Sequence, residues 1–311
     1  SADEVEIRLV DVVRGAGEGE PSFAGRGDRE VDLGPRFEDL DLPTFAPDGR
    51  NLLFAGLADG QWDVYRLPIA GGIPADPVRL ENLTGTPDLD EGRPALSPDG
   101  RMLAFDFHRG ADHDDIAVLD LVSGRRTRLT DHPAVDRLPT FSPDGKALYF
   151  RSERTGRSQI HRVAVGGGVV ERVSFYPAND GYATVAPDAR AVLFESDRGG
   201  RNGIYVMDST GRNRRALLAD WRARYATPRY GPDGLTVAFS AALGDEPLAI
   251  HLMRIPDRDA GRQEGPSRGA GEPRSRARDA GSAGQPSRQS SGERREGDGR
   301  ASSAGGSDRI R

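Results

Sequence analysis

The segment LPTFSPDGKALYFRS, residues 138–152, decides the fold, because four other segments align with it without gaps. These segments begin at residues 42, 93, 182 and 227, so the repeat has a period of about 45 residues. Seven residues after the proline of each PDG-type turn stands a phenylalanine, at Phe54, Phe105, Phe150, Phe194 and Phe239. The sequence therefore predicts a repeat protein with one recurring aromatic core position.

The four residues at the centre of each repeat predict a tight turn. In Ser142-Pro143-Asp144-Gly145, proline sets φ at the second position and glycine accepts a left-handed backbone at the fourth. Such a type I turn with a following bulge closes a β-hairpin. Ala189 replaces this glycine in the fourth unit, at a cost on the order of 1 kcal/mol, which predicts a strained or reshaped turn.

Further short strands follow each hairpin. Third strands are predicted at residues 62–67, 116–121, 159–165, 204–208 and 249–255, and fourth strands at 126–129, 171–173 and 214–217. Four short strands per period are typical of a propeller blade, and the helical i, i+3, i+4 pattern of a solenoid is missing. The predicted fold class is an all-β propeller of four-stranded blades.

The chain ends bear on how the ring closes. Residues 6–12 resemble the third strand at 115–121, and residues 29–33 resemble a fourth strand. We therefore expect residues 5–34 to complete the last blade, so that N-terminal strands pair with it and close the ring. Because the sequence holds five hairpins and six third strands, five blades are predicted and six remain the alternative.

Composition separates a folded body from a tail. Residues 256–311 contain 12 Arg and nine acids but almost no apolar residue, so we predict a disordered Arg/Gly/Ser-rich tail after a propeller at 1–255. The net charge of −6 then leaves −9 on the body, which argues against a nucleic-acid partner. No apolar run is long enough for a membrane span, and the lack of cysteine excludes thiol chemistry.

The repeat resembles that of the TolB-like propellers, a WD40-like family with PDG turns. Ser142-Pro143-Asp144-Gly145-Lys146 and the strand Tyr205-Val206-Met207-Asp208 carry the resemblance, which extends over about residues 5–255. It implies a propeller that binds partner proteins of the bacterial envelope, and hence a periplasmic or other extracytoplasmic location, with a cytoplasmic one as the alternative. Propeller domains of prolyl-oligopeptidase-like hydrolases and oligogalacturonate lyases share this repeat type.

The partner site is predicted on one face of the ring. Loops between second and third strands meet the connections between blades there, and we call this face the mouth. Arg and aromatic residues in such loops favour protein recognition. The predicted contacts are Trp62, Arg109, Asp136, Arg137, Asp180, Tyr182, Trp221, Arg222, Arg224 and Tyr225.

A dense acidic and histidine loop suggests a weaker second site. His108, Asp112, His113 and Asp114 offer oxygen and imidazole ligands for Ca²⁺ or another divalent cation, although their spacing matches no known metal signature. No cofactor is otherwise expected.

The predicted function is a non-enzymatic, monomeric scaffold that binds a protein or peptide. No G-x-S-x-G nucleophile turn is found in the sequence. The alternatives are a metal-dependent, oligogalacturonate-type lyase, which requires several histidines at the ring centre, and the propeller fragment of a prolyl-oligopeptidase-like hydrolase.

Overall fold

A computed structural model describes residues 7–14, 23–31, 33, 37–70, 73–74, 79–108, 110, 113–220, 222–244, 246–247 and 249–255. These residues form strands joined by turns, and no helix that could cross a bilayer occurs among them. The strands are β1 (Ile7–Arg14), β2 (Phe23–Val31), β3 (Asp39–Phe45), β4 (Asn51–Ala58), β5 (Gln61–Ala70), β6 (Ile73–Pro74), β7 (Glu81–Asn82), β8 (Asp90–Leu96), β9 (Met102–His108), β10 (Asp114–Asp120), β11 (Arg126–Arg128), β12 (Asp136–Phe141), β13 (Ala147–Ser152), β14 (Gln159–Ala164), β15 (Glu171–Arg172), β16 (Asp180–Val185), β17 (Ala191–Ser196), β18 (Gly203–Asp208), β19 (Arg215–Leu218), β20 (Ala223–Tyr230), β21 (Thr236–Leu243) and β22 (Ala249–Arg254).

The strands form five antiparallel blades, which confirms the predicted fold. Blade 1 contains β3, β4, β5 and β7, with β6 paired to the end of β5. Blades 2, 3 and 4 contain β8–β11, β12–β15 and β16–β19 in chain order. Blade 5 consists of β20, β21 and β22, so its sheet has three strands in the described part of the chain rather than the predicted four.

The N-terminal strands differ from the prediction. β1 pairs with β2, from Ile7 opposite Val31 to Arg14 opposite Phe23, and this hairpin is a separate two-stranded sheet. Within the described strands, β22 pairs with β21 alone. The expected pairing of residues 5–34 with the last blade is therefore not the one formed. β1 and β2 instead form their backbone hydrogen bonds with each other, as consecutive antiparallel strands do in the blades.

The predicted turns are present in every blade. In blade 3 the Gly145 N–H donates to Ser142 O at 2.8 Å, the Lys146 N–H donates to Asp144 Oδ1 at 3.1 Å, and Gly145 has a φ of 69°. Ala189 occupies the same left-handed region at a φ of 59°, which confirms the predicted strain in blade 4.

The recurring phenylalanine packs between blades. Phe150 of blade 3 is fully buried in one cluster with Ala104 and Ile116 of blade 2. Its ring also lies 6.1 Å from the ring of His161 on the adjacent strand β14, centroid to centroid. The phenylalanines of blades 2, 4 and 5 pack in the same way against the preceding blade, so the hydrophobic core lies mainly between successive blades.

The innermost strand of each blade carries the same β-bulge. At its centre is a non-glycine residue with a φ between 46° and 58°. The five residues are Leu42, Arg93, Leu138, Tyr182 and Thr227. Since each left-handed residue costs on the order of 1 kcal/mol, this fivefold repetition marks a feature that the ring geometry imposes.

Candidate functional site

Two polar cavities open at the mouth. The first, of about 330 Å³, lies among blades 1, 2 and 3. The second, of about 390 Å³, lies between blades 3 and 4. The first is lined by Asp41, Ala55, Trp62, Asp90, Glu91, Gly92, Arg93, Asp106, His108, Asp114 and Arg137. Both contain ends of second strands and starts of innermost strands, as the sequence predicts for the mouth.

The buried carboxylate of Asp106 joins two blades in the first cavity. Its Oδ1 accepts a hydrogen bond from Arg93 Nη1 at 3.1 Å, and its Oδ2 accepts one from the Leu138 N–H at 2.9 Å. Burial raises the pKa of Asp106 to about 6, against the opposing effect of Arg93 and the Leu138 N–H. This carboxyl group therefore changes charge in mildly acidic solution.

Asp114 holds a second cluster of charge in the same cavity. It is buried and accepts from His108 Nδ1 at 2.7 Å, and it also pairs with Arg137. Burial, followed by the neighbouring charge of Arg93, lowers the pKa of Arg137. The guanidinium groups of Arg93 and Arg137 are thus anchored by Asp106 and Asp114 while their side chains stay about one-third exposed.

The second cavity repeats this arrangement with other residues. Glu195 accepts from the Thr227 N–H at 3.3 Å and from Asn202 Nδ2 at 2.5 Å, and burial raises its pKa. Across the cavity, Arg151 Nε donates to Ser158 Oγ at 2.8 Å. The wall of each cavity therefore contains acids and at least one arginine that are held in place by hydrogen bonds or ion pairs.

Known proteins resemble this one in architecture and, over part of the chain, in sequence. Residues 79–184, which span blades 2 and 3, match the family model described as the TolB beta propeller domain. The structure superposes on TolB from Acinetobacter baumannii with a TM-score of 0.60 and 22% sequence identity, over 79% of this chain and 63% of that one. The chain is therefore similar to the TolB propeller domain over residues 79–184 and shares its β-propeller fold.

Curated relatives match over part of their length. An uncharacterised protein of Agrobacterium fabrum is 37% identical over 130 residues, which is 42% of this chain and 41% of the relative. The Tol-Pal system protein TolB of Hydrogenovibrio crunogenus is 37% identical over 81 residues, which is 26% of this chain and 18% of the relative. The matched region thus spans less than half the length of each relative. An oligogalacturonate lyase and a puromycin hydrolase share the fold at 18% and 16% identity, which shows the fold alone.

The TolB-like propeller brings some of the predicted contact residues to the two cavities. Trp62 and Arg137 line the first cavity, and Asp180 and Tyr182 line the second. Elsewhere, Tyr225 packs against Phe239 with ring centroids 6.1 Å apart, and Arg222 and Arg224 are exposed near the start of β20. Arg109 and Trp221 lie outside the described residues.

Two of the predicted contact residues are bound to arginines within the protein. Asp136 and Asp180 are buried, and each accepts a hydrogen bond from an arginine of the same blade. Arg154 Nη2 lies 2.7 Å from Asp136 Oδ2, and Arg198 Nη2 lies 2.8 Å from Asp180 Oδ1. In blades 3 and 4 the arginine two residues past the second strand turns back over the start of the innermost strand. Both acids therefore position an arginine.

The predicted metal ligands are only partly brought together. His108 and Asp114 contact each other, His113 is exposed, and Asp112 lies outside the described residues. Within the described part of the chain, no group of three or more acid or histidine side chains is arranged to hold a metal ion. A divalent-cation site stays a prediction.

The histidines also bear on the lyase alternative. His108 lines the first cavity, whereas His161 and His251 pack beside Phe150 and Phe239 within the blades. A metal-dependent lyase requires several of them at the ring centre, so these positions give that alternative no support.

The sequence prediction missed the residues that form the cavity walls. In each blade the residue after the recurring phenylalanine pairs with the residue just before the bulge of the innermost strand. These residues are Ala55, Asp106, Arg151, Glu195 and Ser240, of which the first four line the two cavities. Strand alternation from the phenylalanine was the signal that could have found Asp106 and Glu195.

Proposed function

We propose that this TolB-like propeller is a non-enzymatic scaffold whose mouth binds an extended segment of a partner protein. The observation that carries the proposal is the first cavity. Anchored arginines and a half-buried tryptophan meet there in a space of about 330 Å³. Tryptophan and arginine are the residue types that dominate binding energy at protein interfaces.

The two arginines of the first cavity offer hydrogen-bond donors to the oxygen atoms of a partner segment. Arg93 and Arg137 each form an ion pair with a buried acid, yet a guanidinium has five N–H donors and both side chains remain partly exposed. Because the arginines are held in place before binding, little side-chain freedom is lost when an oxygen atom of the partner accepts their hydrogen bonds. Trp62 adjoins them and supplies apolar contact area.

The partner is expected among proteins of the bacterial envelope, and the propeller is expected outside the cytoplasm. The support is that a relative is named a Tol-Pal system protein. The match covers a limited part of that relative, so the experiment must identify the partner independently.

Site-specific photocrosslinking tests this function. A photoreactive phenylalanine analogue is placed at Trp62, and in a matched control at Phe45, which is exposed and lines a cavity with Pro47 and Pro98 on the PDG-turn face. Illumination in an envelope extract should crosslink a specific partner protein to position 62. The same partner should not be crosslinked to position 45.

Affinity measurements with the purified partner then decide the site. We expect Trp62→Ala to weaken binding about tenfold or more, and Phe45→Ala to leave it within about twofold. Equal weakening by the two variants, or none by Trp62→Ala, would remove the mouth as the binding surface.

A further inference from the structure

The outward face of blade 5 exposes an apolar position that every other blade buries. Ile250 in β22 is 82% exposed, and Leu252 is 42% exposed. The residues at the position of Ile250 in blades 1 to 4 are Val64, Ile116, Ile160 and Ile204, each 0% exposed. The same position of the repeat is thus exposed in blade 5 and fully buried in the other four blades.

Strand register establishes that these positions are equivalent. Ile250 pairs with Ser240, and Ile116 pairs with Asp106. Ser240 and Asp106 are each the residue that follows the recurring phenylalanine of their blade. The exposure of Ile250 therefore reflects a missing neighbour and not a shift in strand register.

The neighbouring blades show what normally covers this face. In blade 2, Ile116 and Val118 form one buried cluster with Leu148 and Phe150 of blade 3. In blade 4, Ile204 and Val206 pack in the same way with residues of blade 5, including Phe239. The cover includes the first two strands of the next unit, which are joined by a PDG-type turn, together with third-strand residues such as Val163.

Blade 1 does not supply that cover to blade 5. The face of blade 1 with Phe54 and Tyr65 packs against Phe37, whose ring centroid lies 5.7 Å and 4.9 Å from theirs. Leu33 belongs to the same cluster. The chain's own N-terminal segment thus covers blade 1, while the facing side of blade 5 stays open.

We propose that this open face binds a β-hairpin of the PDG type that a partner polypeptide presents, seated as blade 3 is seated on blade 2. The two receiving faces are chemically alike. Blade 2 offers Ala104, Ile116 and Val118, and the same three positions in blade 5 are Ala238, Ile250 and Leu252. The hairpin would place its recurring phenylalanine over Ile250, where Phe150 lies over Ile116. This surface is separate from the mouth.

Single-cysteine labelling tests the proposal, because the chain has no native cysteine. Ile250→Cys is labelled with a maleimide in the full chain. The labelling is repeated on a chain that carries an extra copy of residues 131–174, the blade 3 unit, between Ile255 and Pro256. A second chain receives residues 175–218, the blade 4 unit, in case one insert does not fold. We expect at least one insertion to slow labelling about tenfold or more.

Two controls make the result specific. Val122→Cys, at an exposed turn of blade 2, should label at the same rate with and without an insertion. An insert in which the copies of Leu148 and Phe150 are both changed to Ser should give no protection. Unchanged labelling of Ile250→Cys with both inserts, or equal protection by the altered insert, would overturn the proposal. Protection in the uninserted chain that grows with protein concentration would assign the face to a second copy, and would overturn it too.

Discussion

The carboxylate of Asp106 in blade 2 accepts the backbone N–H of Leu138 in blade 3 at 2.9 Å. Glu195 of blade 4 makes the same contact to the N–H of Thr227 in blade 5 at 3.3 Å. Leu138 and Thr227 are both left-handed bulge residues, so each acid satisfies a strained backbone position of the next blade. The acids at the mouth therefore join blades as well as shaping the cavities.

Replacing Asp106 should change how stability depends on pH. Its folded pKa of about 6 lies above the unfolded value, so its stabilising contribution is complete below pH 4 and is lost as the pH rises through 6. Asn resembles the protonated acid at all pH values. We expect the stability of Asp106→Asn relative to wild type to rise between about pH 4 and 7, as measured by urea unfolding. A relative stability that falls over this range would contradict the buried, protonatable state of Asp106.

His161 should show the opposite dependence. Burial lowers its pKa to about 4, below the unfolded value of 6.5, so the wild-type protein loses stability as the pH falls through this interval. His161→Phe keeps a ring beside Phe150 and removes the titrating group. Its stability relative to wild type should rise as the pH falls from 6.5 to 4 in the same unfolding series. A pH-independent difference would mean that His161 is solvated.

The repeat made the fold predictable, whereas the charged groups of the mouth were harder to place. The PDG turns and the recurring phenylalanine are local signals with fixed consequences, so Ala189 and Phe150 behave as expected. The burial of Asp136 depends on Arg154, 18 residues away in sequence, and such long-range pairing has no local signature. The open face around Ile250 was likewise invisible, because it reflects a neighbour that the repeat pattern does not specify.

Relieving the strained turn of blade 4 should stabilise the protein. Ala189 has a φ of 59°, where the other four turns have glycine. Ala189→Gly is expected to raise the free energy of unfolding by up to about 1 kcal/mol. The reciprocal control is Gly100→Ala, since no atom lies within 4 Å of the added methyl group and only backbone strain is introduced. This control should be destabilising, and a stabilising effect there would contradict the strain argument.

Breaking the buried ion pair of blade 4 should be costly. Arg198→Met leaves the fully buried Asp180 without its guanidinium, and we expect a loss of about 3 kcal/mol in urea unfolding. The matched control is Arg66→Met, which removes a more exposed pair with Glu81 and should cost less than about 1 kcal/mol. Similar losses in both variants would show that Asp180 is not held by Arg198.

Hydrogen exchange of the full chain, with and without its crosslinked partner in purified form, tests the binding surface most directly. The account predicts slower exchange at the starts of β8 and β12 and at the end of β9, where Arg93, Arg137 and Asp106 lie. The PDG turns on the opposite face should exchange as in the free protein. Protection of those turns, with the mouth unchanged, would contradict the central claim.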